Sequence, residues 1–213
     1  MVAFYQMMNV RRFAPLLAAL LLLPSAAPAA PAPHLEKAVL AGGCFWGMEA
    51  VFERLHGVRD VVAGFSGGAK LTAHYEVVST GMTGHAESVE ITYDPAQISY
   101  AKILDVYFTV AHDPTQLNHQ GADEGTQYRS EIFYIGDAQK KTAEATIRDL
   151  EARHAFPAPI VTKVEAFQAF YPAEAYHQHY ADRHPDDPYI ATVDEPKLAA
   201  LREKFPDLIA KSH

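Results

Sequence analysis

The chain has 213 residues, 49% of them apolar, a formal net charge of -8 and a single cysteine. That length and apolar share suffice for one substantial core and favour a single domain. The acidic balance, with no Lys- or Arg-rich run, excludes nucleic acid and anionic membrane as partners. One cysteine can close no disulfide within the chain.

Arg11 and Arg12 precede the apolar run Phe13 to Leu23 and the small-residue stretch Ser25 to Ala30, the order of a secretory signal peptide. The run is shorter than the about twenty apolar residues of a membrane span, and Arg and Ser are too sparse for a transit peptide. Ala27-Pro28-Ala29 supplies an A-x-A cleavage match. Residues 1-29 are therefore read as a signal peptide and 30-213 as one catalytic domain. The expected destination is an oxidising compartment, the periplasm, with no stable membrane association after cleavage. An unpaired cysteine in such a place asks for a chemical reason.

Val39-Leu40 belong to a short apolar run that breaks at Gly42-Gly43. Met48, Val51, Phe52 and Leu55 recur at helical spacing, which puts Cys44 in the first turn of a helix that Gly57 closes. Val58 to Phe65 and Glu87 to Tyr93 read as strands, the latter alternating before the turn Asp94-Pro95. Ser99 can cap a helix bearing Ile103, Val106, Tyr107 and Val110, which Pro114 ends. A polar loop from Gln116 to Gln127 leads into a strand from Ser130 to Ile135. Asp137 is then expected to cap a long helix with Ala143, Ile147 and Leu150 inward and Glu144 paired with Arg148. After Pro157 and Pro159, Ile160 to Phe167 reads as a strand, Pro172 as the start of a helix carrying Tyr176 and Tyr180, and the acidic tail beyond Pro185 as a surface wrap. The pattern predicts an α/β (α+β) fold: a single compact two-layer sandwich of a mixed, mainly antiparallel sheet with flanking helices and a ferredoxin-like core.

A cysteine after two glycines at a helix start faces unpaired amide N–H groups and the positive end of the helix dipole, which favour the thiolate. A lone cysteine also serves elsewhere as a small buried hydrophobe, and position alone does not choose between the two. Strand alternation sets Glu87 on the face of Val89, Ile91 and Tyr93. Burial there would disfavour its ionised form and leave it a proton donor near neutral pH.

The string Gly43-Cys44-Phe45-Trp46-Gly47 resembles the active-site motif of the A-type peptide methionine sulfoxide reductases. Gly84-His85-Ala86-Glu87 and Gly125-Thr126-Gln127-Tyr128-Arg129-Ser130 are similar to two further family segments, in the same order. The resemblance implies that Cys44 attacks the sulfoxide sulfur of an oxidised methionine of S configuration, in a protein or peptide. It also implies that Glu87 is the proton donor, that Tyr75 and Tyr128 bind the oxygen, that Phe45 and Trp46 form the methyl pocket, and that Asp123 orients the substrate main chain. The product on Cys44 is a sulfenic acid. Many relatives carry recycling cysteines near the C-terminus; here the tail has none and a position often cysteine is Ser79. The resolving thiol must come from another molecule, such as a thioredoxin-like reductant. No cofactor and no metal is required.

Two rival readings carry less. A cysteine hydrolase would join Cys44 to a downstream His177 or His179, but Phe45 intervenes where the papain signature has its tryptophan directly after the cysteine. A metal site at His177-Gln178-His179 fails on a helix, where positions i and i+2 point about 200° apart.

Overall fold

Residues 34–210 are described by the computed structural model, so the signal-peptide reading falls on residues outside it. The segments in chain order are β1 (Glu36–Ala41), α1 (Phe45–Glu53), β2 (Val58–Ser66), α2 (Tyr75–Val78), β3 (Ala86–Tyr93), α3 (Tyr100–Val106), β4 (His119–Gln120) and β5 (Asp123–Glu124). They continue with β6 (Glu131–Tyr134), α4 (Gly136–Ala152), β7 (Lys163–Ala166), β8 (Phe170–Pro172), α5 (Tyr180–Arg183) and α6 (Glu195–Lys204). The main sheet has the order β7-β6-β1-β3-β2-β8. Every pairing is antiparallel except that of β6 with β7. Within it, β1, α1, β2, β3, α3 and β6 form a split β-α-β unit with central order β6-β1-β3-β2, the ferredoxin-like core that was expected.

Alternation along the strands separates two apolar faces. Leu40, Phe65, Val89, Ile91 and Ile132 join the large core with Phe45, Met48 and Phe52 of α1 and Ile103 and Leu104 of α3. Val39, Ala41, Ala86 and Phe133 form a smaller cluster on the other side, covered by Phe167 and Phe170. Because β1 and β3 are antiparallel with Leu40 opposite Val89, the exit of β1 lies beside the entrance of β3. That register carries the turn Gly42-Gly43-Cys44 to Glu87.

Several local expectations need correction. Cys44 is the N-cap residue of α1 and precedes its first turn. Asp137 lies inside the first turn of α4, whose N-cap is Ile135 with no side-chain hydrogen bond. The loop from Gln116 to Gln127 contains the ribbon β4-β5. Pro172 opens no helix: Phe170–Pro172 pairs with Gly64–Ser66 as an edge strand, where a missing N–H costs nothing. The chain then turns, and His179 at φ +52° stops any helix until the single turn of α5.

The tail is the largest departure. Ser99 does cap α3, accepting from the Lys102 amide at 3.2 Å, and α3 continues as a wider turn over Tyr107–Ala111. Against this turn and α1 pack Ile190, Leu198 and Leu201, all buried, so the segment beyond Pro185 belongs to the core. Among the described residues no helix is long and apolar enough to cross a membrane.

Candidate active site

Gly43 holds φ +88°, and a Cβ there would meet the Gln120 side chain at 2.6 Å. Glycine is thus required twice at this turn, by backbone conformation and by space. The Gly43 amide donates to the Tyr128 carbonyl at 3.2 Å. The turn delivers Cys44 to the start of α1 with 8% of its surface exposed.

Glu87 is 1% exposed, and its Oε2 accepts from the Phe45 amide at 3.1 Å. Burial drives its pKa from the ordinary 4.5 up to about 8; the Phe45 amide and the Cys44 thiol pull it down, and Asp123 adds to the rise. The carboxyl therefore holds a proton at neutral pH, as strand alternation implied.

The thiol departs from expectation. Burial raises the pKa of Cys44 well above its ordinary value, and Glu87 and Asp194 raise it further. The Trp46 amide at the helix start and the Lys197 ammonium lower it, but by less. The helix terminus supplies the predicted stabilisation; desolvation beside two carboxyl groups outweighs it.

Tyr75 on α2 and Tyr128 in the 3-10 turn Thr126–Tyr128 are half-buried on the same site. Burial first, then Glu87 and Cys44, raise the Tyr75 pKa to about 12 and move Tyr128 upward by the same causes. Both remain protonated phenols able to donate. The structure thus gathers Cys44, Glu87, Tyr75 and Tyr128 from four separate stretches of chain.

Phe45 is fully buried, its ring 5.8 Å from Phe65, 6.3 Å from Tyr75 and 5.0 Å from His177. Trp46 is partly exposed and is held on three sides. Tyr180 stacks on it at 3.7 Å, Tyr189 meets it edge-on at 5.9 Å, and its indole N–H donates to His177 Nδ1 at 3.1 Å. The orientation of this one residue is set entirely by the last third of the chain. Asp123 accepts from the Tyr189 hydroxyl at 2.5 Å, so the loop residue and the tail form one rim.

His177, Tyr189 and Asp194 escaped the sequence reading as site residues. Asp194 is completely buried, hydrogen-bonded to Lys197 at 3.2 Å, and its carboxylate lies where a Cβ on Gly47 would stand, 2.1 Å away. The available signal was the pair Leu198 and Leu201 at i, i+3 after Pro196, which marks a half-buried helix. His177 with Nδ1 engaged by Trp46 and His179 hydrogen-bonded to Glu53 form no dyad with Cys44. His112 is buried against the Tyr107 carbonyl and Ser130, and burial lowers its pKa to about 4.

A family model described as peptide methionine sulfoxide reductase matches residues 36–209. The chain is 54% identical over 180 residues to peptide methionine sulfoxide reductase MsrA 2 of Mesorhizobium japonicum, covering 84% of this chain and 92% of that one. It is 55% identical over 172 residues to the MsrA 2 of Synechocystis, covering 81% and 80%. Among solved structures it is similar to Mxr1 of Saccharomyces cerevisiae in reduced form, with a TM-score of 0.67 and 34% identity over 73% of this chain and 88% of that one. Methionine sulfoxide reductase A of Corynebacterium diphtheriae is similar with a TM-score of 0.64 and 34% identity, over 73% and 77%.

Proposed function

Because the chain belongs to the peptide methionine sulfoxide reductase family and so reduces methionine S-sulfoxide to methionine, we propose that Cys44 is its nucleophile and Glu87 its acid. The observation that carries this assignment is a carboxyl group buried beside the thiol and protonated up to about pH 8. As the Cys44 sulfur bonds to the sulfoxide sulfur, negative charge gathers on the oxygen, and Glu87 delivers the proton that neutralises it. Tyr75 and Tyr128 donate hydrogen bonds to the same oxygen. The proton of the thiol replaces the one Glu87 has given, which is how a thiol of raised pKa becomes a competent nucleophile once substrate is present. In net, the S–O bond of the substrate breaks, two electrons pass from the Cys44 sulfur to the substrate sulfur, and the oxygen ends as Cys44–SOH beside free methionine thioether.

Trp46, fixed by Tyr180, Tyr189 and His177, together with the buried Phe45 ring, provides the apolar wall for the S-methyl group. Asp123, steadied by Tyr189, receives the substrate main-chain N–H. A thiol first condenses with the sulfenic acid, releasing water. A second thiol equivalent then displaces Cys44 from the mixed disulfide. With one cysteine in the chain, both come from outside, and a thioredoxin-like protein is the reductant proposed. The leader adds export to the periplasm and a role in repairing oxidised proteins there, testable by N-terminal sequencing of the protein recovered from that compartment.

Incubation with the separate S and R epimers of a methionine sulfoxide peptide plus dithiothreitol tests the assignment. Methionine is expected from the S epimer alone in the parent enzyme and from neither in Cys44→Ser. Turnover by the serine variant would overturn the assignment.

A further inference from the structure

On α1, Glu49 and Glu53 stand one turn apart, and His179 closes over them. Glu49 is 1% exposed. Its Oε2 accepts from the His179 amide at 2.7 Å, while its Oε1, equally buried, has no hydrogen-bond partner. That orphan oxygen lies 4.0 Å from His179 Nδ1, and the same ring nitrogen is hydrogen-bonded to Glu53 Oε1. One donor atom from each residue falls within 4.8 Å of the other two. We propose that Glu49, Glu53 and His179 form a binding site for a divalent transition ion of the zinc type.

Chemistry narrows the class. Two carboxylate oxygens and an imidazole nitrogen suit zinc, while calcium and magnesium prefer sites made wholly of oxygen. The His179 side chain is 57% exposed, so the outer coordination position opens to water in a groove of about 300 Å³ lined also by Arg59, Asp60 and Asp182. Asp60 adds negative charge there. The two cationic neighbours are each paired with a carboxylate, Arg54 with Asp182 of the same groove at 2.5 Å and Arg59 with Asp94 at 3.2 Å. The buried Oε1 gains a partner it otherwise lacks, and an unpartnered buried carboxylate oxygen is costly.

His179 lies between His177 and Tyr180, two of the three residues that hold Trp46. An ion here joins α1 to that turn and stiffens the support of the apolar wall without touching the substrate.

The test is titration of zinc chloride into the full chain carrying Cys44→Ser, which removes the competing thiol, read by calorimetry and thermal unfolding. One ion per chain is expected, with Tm raised by about 5 to 10 °C at zinc a hundredfold above Kd. His179→Asn, chosen because asparagine tolerates φ +52°, and Glu53→Gln should each weaken zinc by at least about tenfold, since even outer-shell losses cost that much. The absence of a one-to-one step, or equal affinity in both variants, would overturn the proposal and leave an ion pair only.

Discussion

Glu87 acts while protonated, and that fixes the pH behaviour of the reductive step. With a pKa of about 8, the acid is present at neutral pH and is lost as pH rises through about 8, so the single-turnover rate should fall there. Glu87→Gln should slow that step by about 10² to 10⁴, the usual contribution of a positioned acid. The remaining rate should no longer show the fall near pH 8; quench-flow measurement of methionine formed against pH checks both points. Stability falls in the same direction, over a wider pH range. The folded chain holds this proton more firmly than the unfolded one, whose carboxyl titrates near 4.5. The contribution is therefore full below about 4.5 and is lost as pH rises to about 8. Glu87→Gln, whose amide oxygen can still accept from Phe45, should gain Tm relative to the parent at pH 8 to 9 and lose that advantage toward pH 5.

At the scale of elements, the C-terminal segment decides whether the site is assembled. Leu201 is fully buried against α1 and the Tyr107–Ala111 turn, so Leu201→Ala should cost about 2 to 5 kcal/mol in denaturant unfolding; a surface wrap would lose under about 0.5 kcal/mol. The reading of the tail as a wrap followed from its acidic charge, because Asp186, Asp187, Asp194 and Glu195 hide a short apolar period. What was legible had local signals. Alternation gave β3 and the face of Glu87, Ser99 gave the start of α3, and Gly42-Gly43 gave the turn before Cys44. What was not legible depends on contacts between distant stretches. Pro172 looks like a helix opener until β2 offers it an edge. Nothing near Tyr189 announces that its hydroxyl meets Asp123, 66 positions away. The raised pKa of Cys44 was hidden for the same reason, since one of its causes, Asp194, arrives with the tail.

For the molecule as a whole, a single cysteine makes the two halves of the catalytic cycle separable. Without added thiol, one equivalent of methionine and one sulfenic acid per chain should form, and dimedone followed by intact mass measurement should show a single adduct. Methionine without the adduct would mean that the oxygen leaves by another route. Steady turnover should then scale with the concentration and thiolate fraction of the added reductant, because the attacking sulfur must diffuse in. The recess around Cys44, only 8% of whose surface is open, also acts as a ruler for the client. A methionine held flat in a folded core cannot extend its side chain to that sulfur, whereas one on a loosened segment can. Repair would then be gated by how often the damaged protein opens around its lesion, and the most oxidised molecule in a mixture need not be the first one mended.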